Sequence, residues 1–275
     1  MSGAPSLIDM ATFALVHGAW FGGWCWTPLA AELRQMGHTV VTPDLPIEDP
    51  EAGIAEYAAV IEAALDGIGA AGSGAAGSGA AGSRASGTGA GPGPGDDVIL
   101  VGHSIGGLVI PVVAEHRPIA GLIFLCAFLP DPGQPMRVDE DTFSPEWAAL
   151  SANQVTHDDG STSWPPLPAI EAFFHDCEKA VAQKCSRQLR RQSCTPANQE
   201  NPLESLPTAP AAYVLCTDDR SIAPGWSRRV ARSRLGVDAI ELPGGHSPML
   251  ADPLVMADLL DQMAAGLAQL RQSPK

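Results

Sequence analysis

Positive charge is scarce in this chain. Its 275 residues carry 16 Lys and Arg against 31 Asp and Glu, a formal net charge of −15. Such a surface repels phosphate backbones and anionic headgroups, so neither nucleic acid nor a membrane is expected as a partner. Long apolar runs are missing too. The longest, Ile119 to Leu129, falls short of the ~20 residues that a helix needs to cross a bilayer. No basic run precedes the first apolar stretch, and Asp9 interrupts it, so a secretory leader is not expected. The six cysteines (Cys25, Cys126, Cys177, Cys185, Cys194, Cys216) show no Cys-x-x-Cys spacing, which argues against a metal or disulfide set. Cys126 and Cys216 lie inside apolar runs, where a thiol behaves as a small hydrophobe. The set reads as free thiols of a reducing cytoplasm, and neither metal nor cofactor is expected.

What is present is enough for one large core: 45% of the side chains are hydrophobic. Glycine is concentrated, 11 of 29 falling in Gly69 to Gly95 beside 8 Ala and 4 Ser. Three tandem Gly-Ala-Ala-Gly-Ser copies open that segment, which offers no large side chain to bury. It is expected to be a flexible loop insert, residues 69–95, inside a domain rather than between domains.

Along the chain, Thr12 to Val16, Thr39 to Thr42, Val98 to Val101, Ile119 to Phe128, Ala211 to Cys216 and Val237 to Leu242 read as short, buried strands. Helical patterns alternate with them at Thr27 to Met36, Glu51 to Leu65, Ile105 to Glu115, Ala223 to Arg234 and Pro253 to Gln269. The alternation predicts an α/β fold with a mostly parallel central sheet flanked by helices. Between 129 and 207 the strands give way to prolines and amphipathic stretches, which predicts a helical cap inserted into a core of 1–128 and 208–275.

The strongest chemical signal is Gly102-His103-Ser104-Ile105-Gly106-Gly107, between a predicted strand and a predicted helix. In that context Gly-x-Ser-x-Gly makes a sharp turn that lifts the Ser104 hydroxyl above the sheet edge and leaves the Ile105 N–H at the start of a helix, ready to meet a developing oxyanion. A serine needs a base, and the base an orienting carboxylate. His246, in the loop Pro243 to Pro248 after the last strand, is the best-placed histidine. Asp218 and Asp219 both follow the preceding strand, and spacing alone does not separate them. The loop His17-Gly18-Ala19-Trp20 after the first strand should supply the second oxyanion donor, the N–H of Ala19. Trp20, Phe128, Trp147 and Phe174 are candidates for the substrate pocket.

These residues give the chain a resemblance to the α/β-hydrolase family, and within it to the group of plant methylesterases, hydroxynitrile lyases and bacterial esterase-like relatives. The segments that carry it are HGAWFGGWCW from His17, GHSIGG from Gly102, AFLPDPGQP from Ala127, LCTDDRSIAP from Leu215 and GGHSPMLADP from Gly244. The resemblance implies an α/β-hydrolase fold. It also implies that the acid precedes an x-x-Ile-x-Pro stretch, which fits Asp219 through Pro224 and favours Asp219. Hydroxynitrile lyases of the group carry a threonine after the first histidine and a lysine after the catalytic one, where this chain has Gly18 and Ser247. That departure disfavours cyanohydrin cleavage. The expectation is therefore a cytoplasmic serine hydrolase acting on a small-molecule ester, with a lyase or a slow-turnover binding protein as alternatives. Sequence leaves the oligomeric state open, homodimer included.

Overall fold

The computed structural model describes residues 10–73 and 97–272. The chain runs through β1 (Thr12–Val16), α1 (Thr27–Gln35), β2 (Thr39–Val41), α2 (Ile54–Ser73), β3 (Val98–His103), α3 (Ile110–His116) and β4 (Gly121–Leu125). An excursion follows, with α4 (Trp147–Ser151), the two-residue strands β5 (Val155–Thr156) and β6 (Thr162–Ser163), α5 (Pro166–Phe173), α6 (Lys179–Ser186) and α7 (Thr195–Asn198). The chain then returns to the core with β7 (Ala211–Cys216), α8 (Pro224–Val230), β8 (Ile240–Leu242), α9 (Pro248–Ala251) and α10 (Pro253–Gln272).

Six strands form one parallel sheet in the order β2-β1-β3-β4-β7-β8. Every residue of β1, β3 and β4 is buried, as expected of parallel strands covered on both faces. Successive β1 side chains serve opposite layers. Phe13 and Leu15 pack with Leu29 and Leu33 of α1 and Leu260 of α10. Ala14 and Val16 pack with Tyr57 and Ile61 of α2 and Val113 of α3. Each such aliphatic or aromatic side chain contributes roughly 1.5–3 kcal/mol on burial. Because β2 lies on one side of β1 and β3 on the other, the strand order reverses between β1 and β3. The crevice at the carboxyl edge of such a reversal is where open α/β sheets collect ligands.

Three expectations need correction. β4 stops at Leu125 rather than running to Phe128, because Cys126 turns into the left-handed region at φ +44°. That turn brings the Phe128 N–H to the Ser104 carbonyl, 3.0 Å away. The helix expected to end at Leu65 continues as α2 through Ser73, over the first Gly-Ala-Ala-Gly-Ser copy. Alanine's high helix propensity offsets glycine's cost of about 1 kcal/mol there. The remainder of the expected loop insert, 74–95, lies outside the described residues. Finally, the 129–207 excursion is only partly helical. It also contains the β5–β6 pair, and it is tied to itself and to the core by short bridges, Thr162 to Gln192 and Phe143 to Ile222.

Candidate active site

Four strands deliver the site at one edge of the sheet. β3 ends in His103, still extended, and Ser104 then swings to φ +53° before a tight 3-10 turn that ends at Leu108. A left-handed non-glycine residue is costly and persists only where its surroundings hold it. Here the Phe128 N–H, which donates to the Ser104 carbonyl at 3.0 Å, helps to hold it. A Cβ on Gly106 would lie 2.7 Å from the Val16 carbonyl of β1, so only glycine lets the turn approach that strand. Ser104 is 7% exposed, and among the described residues its hydroxyl makes no hydrogen bond. Bonds of that kind commonly tighten only around substrate.

The loops after β7 and β8 bring together Asp219 and His246, both buried. Asp219 Oδ2 lies 2.8 Å from His246 Nδ1. Its Oδ1 accepts the N–H groups of Ser221 at 2.7 Å and Ile222 at 3.1 Å, which fixes the carboxylate plane. A carboxylate only accepts, so Nδ1 is the donor in this pair and Nε2 is the nitrogen not engaged by the acid. Asp218 is exposed and turned away. Its carboxylate accepts from the Gly244 N–H, and its own N–H donates to the Gly244 carbonyl.

Two other buried histidines brace the site. His103 donates from Nε2 to the backbone carbonyl of His246, and the two rings lie 4.6 Å apart. Desolvation, reinforced by the neighbouring His246, holds His103 well below its usual range, so it is neutral. His17 donates from Nδ1 to the Gly18 carbonyl and accepts the Leu45 N–H at Nε2, so it too is neutral; burial lowers its pKa to about 4.

Ser104 opens into a cavity of about 170 Å³ whose wall includes Ala19 and Ile105. Among the described residues no acceptor takes the Ala19 N–H. Trp20, Phe128, Met136, Phe143 and Trp147 make the apolar wall, while Thr162, Gln192, Ser193, Cys194 and Ser221 are its polar members. Among the described residues no charged side chain borders it. Phe174, expected in the pocket, is not there. It closes α5, is fully buried, and packs against Phe21 and Phe173 beneath the loop that follows β1. Met136, Phe143, Thr162 and Gln192 are absent from the sequence-based candidates. Isolated apolar residues in an otherwise Asp- and Pro-rich stretch are the signal for Met136 and Phe143, whereas nothing local marks Thr162 or Gln192.

A wider, open groove of about 670 Å³ runs along Asp218, Asp219 and Arg220, behind the carboxylate and away from Ser104. Among the described residues no cluster of His, Cys, Asp or Glu is suited to hold a metal ion, and no helix is long and apolar enough to cross a membrane. All six cysteines are free.

The pattern of the Alpha/beta hydrolase family matches residues 13–259. The chain is 30% identical over 282 residues to a carbendazim hydrolyzing esterase of Nocardioides sp. (strain SG-4G), covering 95% of this chain and 100% of that one. It is 27% identical over 279 residues to esterase PIR7B of Oryza sativa subsp. japonica, covering 92% and 95%. Among solved structures, a pyrethroid hydrolase from Sphingobium faniae JZ-2 shares the fold at a TM-score of 0.71 and 23% identity, over 94% of this chain and 99% of that one.

Proposed function

The chain belongs to the alpha/beta hydrolase family and is an esterase-type hydrolase, and from that premise we propose that it cleaves small, neutral carboxylic esters with Ser104 as nucleophile, His246 as base and Asp219 as its orienting acid. The observation that carries this reading is the buried Asp219–His246 pair at 2.8 Å, held by the loops after β7 and β8 at the sheet edge where β3 also leads into Ser104.

In the proposed reaction His246 Nε2 takes the Ser104 proton as Oγ attacks the ester carbonyl. The carbonyl electrons move onto oxygen, and the N–H groups of Ala19 and Ile105 hold that oxyanion. Collapse expels the alcohol, which takes the proton back from His246, and an acyl group remains on Ser104. Water, deprotonated by the same nitrogen, attacks the acyl-enzyme, and as the carboxylic acid leaves, His246 returns that proton to Ser104 Oγ. General-base help of this type is worth about 10²–10⁴-fold, and each oxyanion donor about 10²–10³-fold. Asp219 holds the ring in place and stabilises the imidazolium that forms.

The cavity sets the scale of the substrate. A dry apolar cavity of ~150 Å³ accommodates benzene, so about 170 Å³ suits one ring or a short branched chain. Among the described residues no cation lies on its wall, so a charged acyl group gains nothing there. The same absence counts against cyanohydrin cleavage, because a departing cyanide would meet no positive charge. The 129–207 excursion serves as the cap, since Trp147, Thr162 and Gln192 come from it. Six unpaired cysteines support a cytoplasmic location.

The test is a fluorophosphonate probe followed by mass spectrometry, with Ser104→Ala as control. An adduct on Ser104 is expected, together with hydrolysis of methyl and nitrophenyl esters that weakens as the acyl group outgrows one ring. No adduct on the native protein would overturn the reading.

A further inference from the structure

Trp20 is the residue after Ala19, and it sits at φ +64°. For a bulky side chain that conformation is costly and must be held from outside. Every polar group of Trp20 is held, and each by a residue from 160 to 192. The Gln192 side-chain oxygen accepts its backbone N–H at 3.3 Å. The Arg190 N–H donates to its carbonyl at 2.7 Å. Thr162 Oγ1 accepts its indole N–H at 3.0 Å. Thr162 and Gln192 are themselves joined by paired backbone bonds of 2.9 Å, so the three anchors form one strap.

Gln192 is the part of the strap that acts nearest the peptide of Ala19. It is buried, and its amide cannot rotate freely, because Nε2 donates to the Ser193 carbonyl at 2.7 Å and to the Tyr57 hydroxyl at 3.3 Å. With the nitrogen so anchored, the amide oxygen faces the Trp20 N–H. That bond also occupies the Trp20 N–H, the next one along the chain from that of Ala19.

We propose that Gln192 is a positioning residue: through its hydrogen bond to the Trp20 N–H it holds the loop in the left-handed turn that aims the Ala19 N–H at the reacting oxygen. The proposal rests on the serine-hydrolase reading above. The bonds that join Thr162, Arg190 and Gln192 to Trp20 make the strap and the loop after β1 one mechanical unit.

A positioning role differs from a packing role in what it does to the transition state. Gln192→Met keeps the volume and removes both amide functions. With a nitrophenyl ester, kcat should fall at least about tenfold while KM stays within about twofold, since an oxyanion donor acts on the transition state. Inhibition by a trifluoromethyl ketone, which binds as a tetrahedral adduct with a negative oxygen, should weaken by the same factor, and inhibition by the plain methyl ketone should not. Thr162→Val, which removes only the indole anchor, should move the same quantities in the same direction and carries the test if Gln192→Met does not fold. Unchanged kcat, a loss confined to KM, or equal weakening of both ketones would overturn the proposal. A native protein without a fluorophosphonate adduct overturns both readings. A labelled native protein with kinetically silent variants overturns this one alone.

Discussion

His103 donates from Nε2 to the backbone carbonyl of His246 at 2.8 Å, so the residue before the proposed nucleophile holds the loop of the proposed base. The two lie 143 positions apart and face each other only because β3 and the loop after β8 reach the same sheet edge. The bond fixes the His103 tautomer, since a carbonyl offers no proton, and Nδ1 is left beside Gly18. Burial keeps that nitrogen unprotonated. The turn that carries Ser104 and the loop that carries His246 are thereby tied to each other.

His103→Phe keeps a ring to pack against Phe21 and Trp26 but removes the donor. The His246 carbonyl then loses its partner. An orphaned buried acceptor costs about 1–3 kcal/mol, which urea unfolding will show. The freed loop should also lower kcat more than it raises KM. Native stability and native kcat together would refute the brace.

Asp219 and Asp218 give a paired test. Asn at 219 must present either its oxygen or its NH₂ group to His246 and the other to the Ser221 and Ile222 N–H groups, and one of those contacts is always mismatched. In a working triad the acid-to-amide change costs on the order of 10⁴ in kcat by selecting the wrong imidazole tautomer. Asp219→Asn should approach that loss, and Asp218→Asn should stay within about twofold. Equal losses at the two positions would remove Asp219 from the assigned role.

The reach of the sequence is clear from the same residues. Gly102 to Gly107 is legible because backbone crowding at that turn demands small residues at fixed spacing, and this local rule needs no knowledge of partners. His246 is legible as a histidine placed just after the last strand. The choice between two adjacent aspartates depends on which way a loop twists, and only the resemblance favoured Asp219. Phe174 was misread because an apolar residue at a helix end looks the same whether it faces a cavity or the underside of a loop. Gln192 and Thr162 lie 172 and 142 positions from Trp20, so no spacing links them to it. Their role arises from the path of the chain between β4 and β7.

Stability should decline as acid is added well before the carboxylates titrate. An unfolded histidine takes up its proton near pH 6.5, whereas His17 in the fold resists down to about 4. Between those values the unfolded chain binds a proton that the folded one refuses. His17 therefore costs nothing above pH 6.5 and progressively more below it, reaching roughly 3 kcal/mol near pH 4. His103, also lowered by burial, adds to the loss in the same direction. Urea midpoints measured from pH 7.5 to 4.5 should fall steadily below about 6.5, and a flat profile would show that neither ring is held neutral.

Gly18 offers the sharpest probe of the space around Ser104. A Cβ there would lie 2.7 Å from Ser104 Cβ, 3.0 Å from His103 Nδ1 and 3.3 Å from the His103 carbonyl. None of these atoms ends a long side chain that could swing aside, so the loop after β1 would have to retreat from the serine turn. The Gly18 carbonyl accepts from His17 Nδ1, and the Trp20 side chain is anchored to Thr162. Retreat therefore strains both ends of the loop, at a cost of about 1–3 kcal/mol. It also carries the Ala19 N–H away from the reacting oxygen. Gly18→Ala should fold with a lowered melting temperature and lose about tenfold or more in kcat. The same crowding bears on the lyase alternative. Gly18→Thr with Ser247→Lys would introduce the two side chains that hydroxynitrile lyases carry, but the threonine meets the same clash, and the lysine replaces a fully buried residue. No cyanide should be released from mandelonitrile by that double variant. Its detection would show that the loop yields more easily than these distances allow.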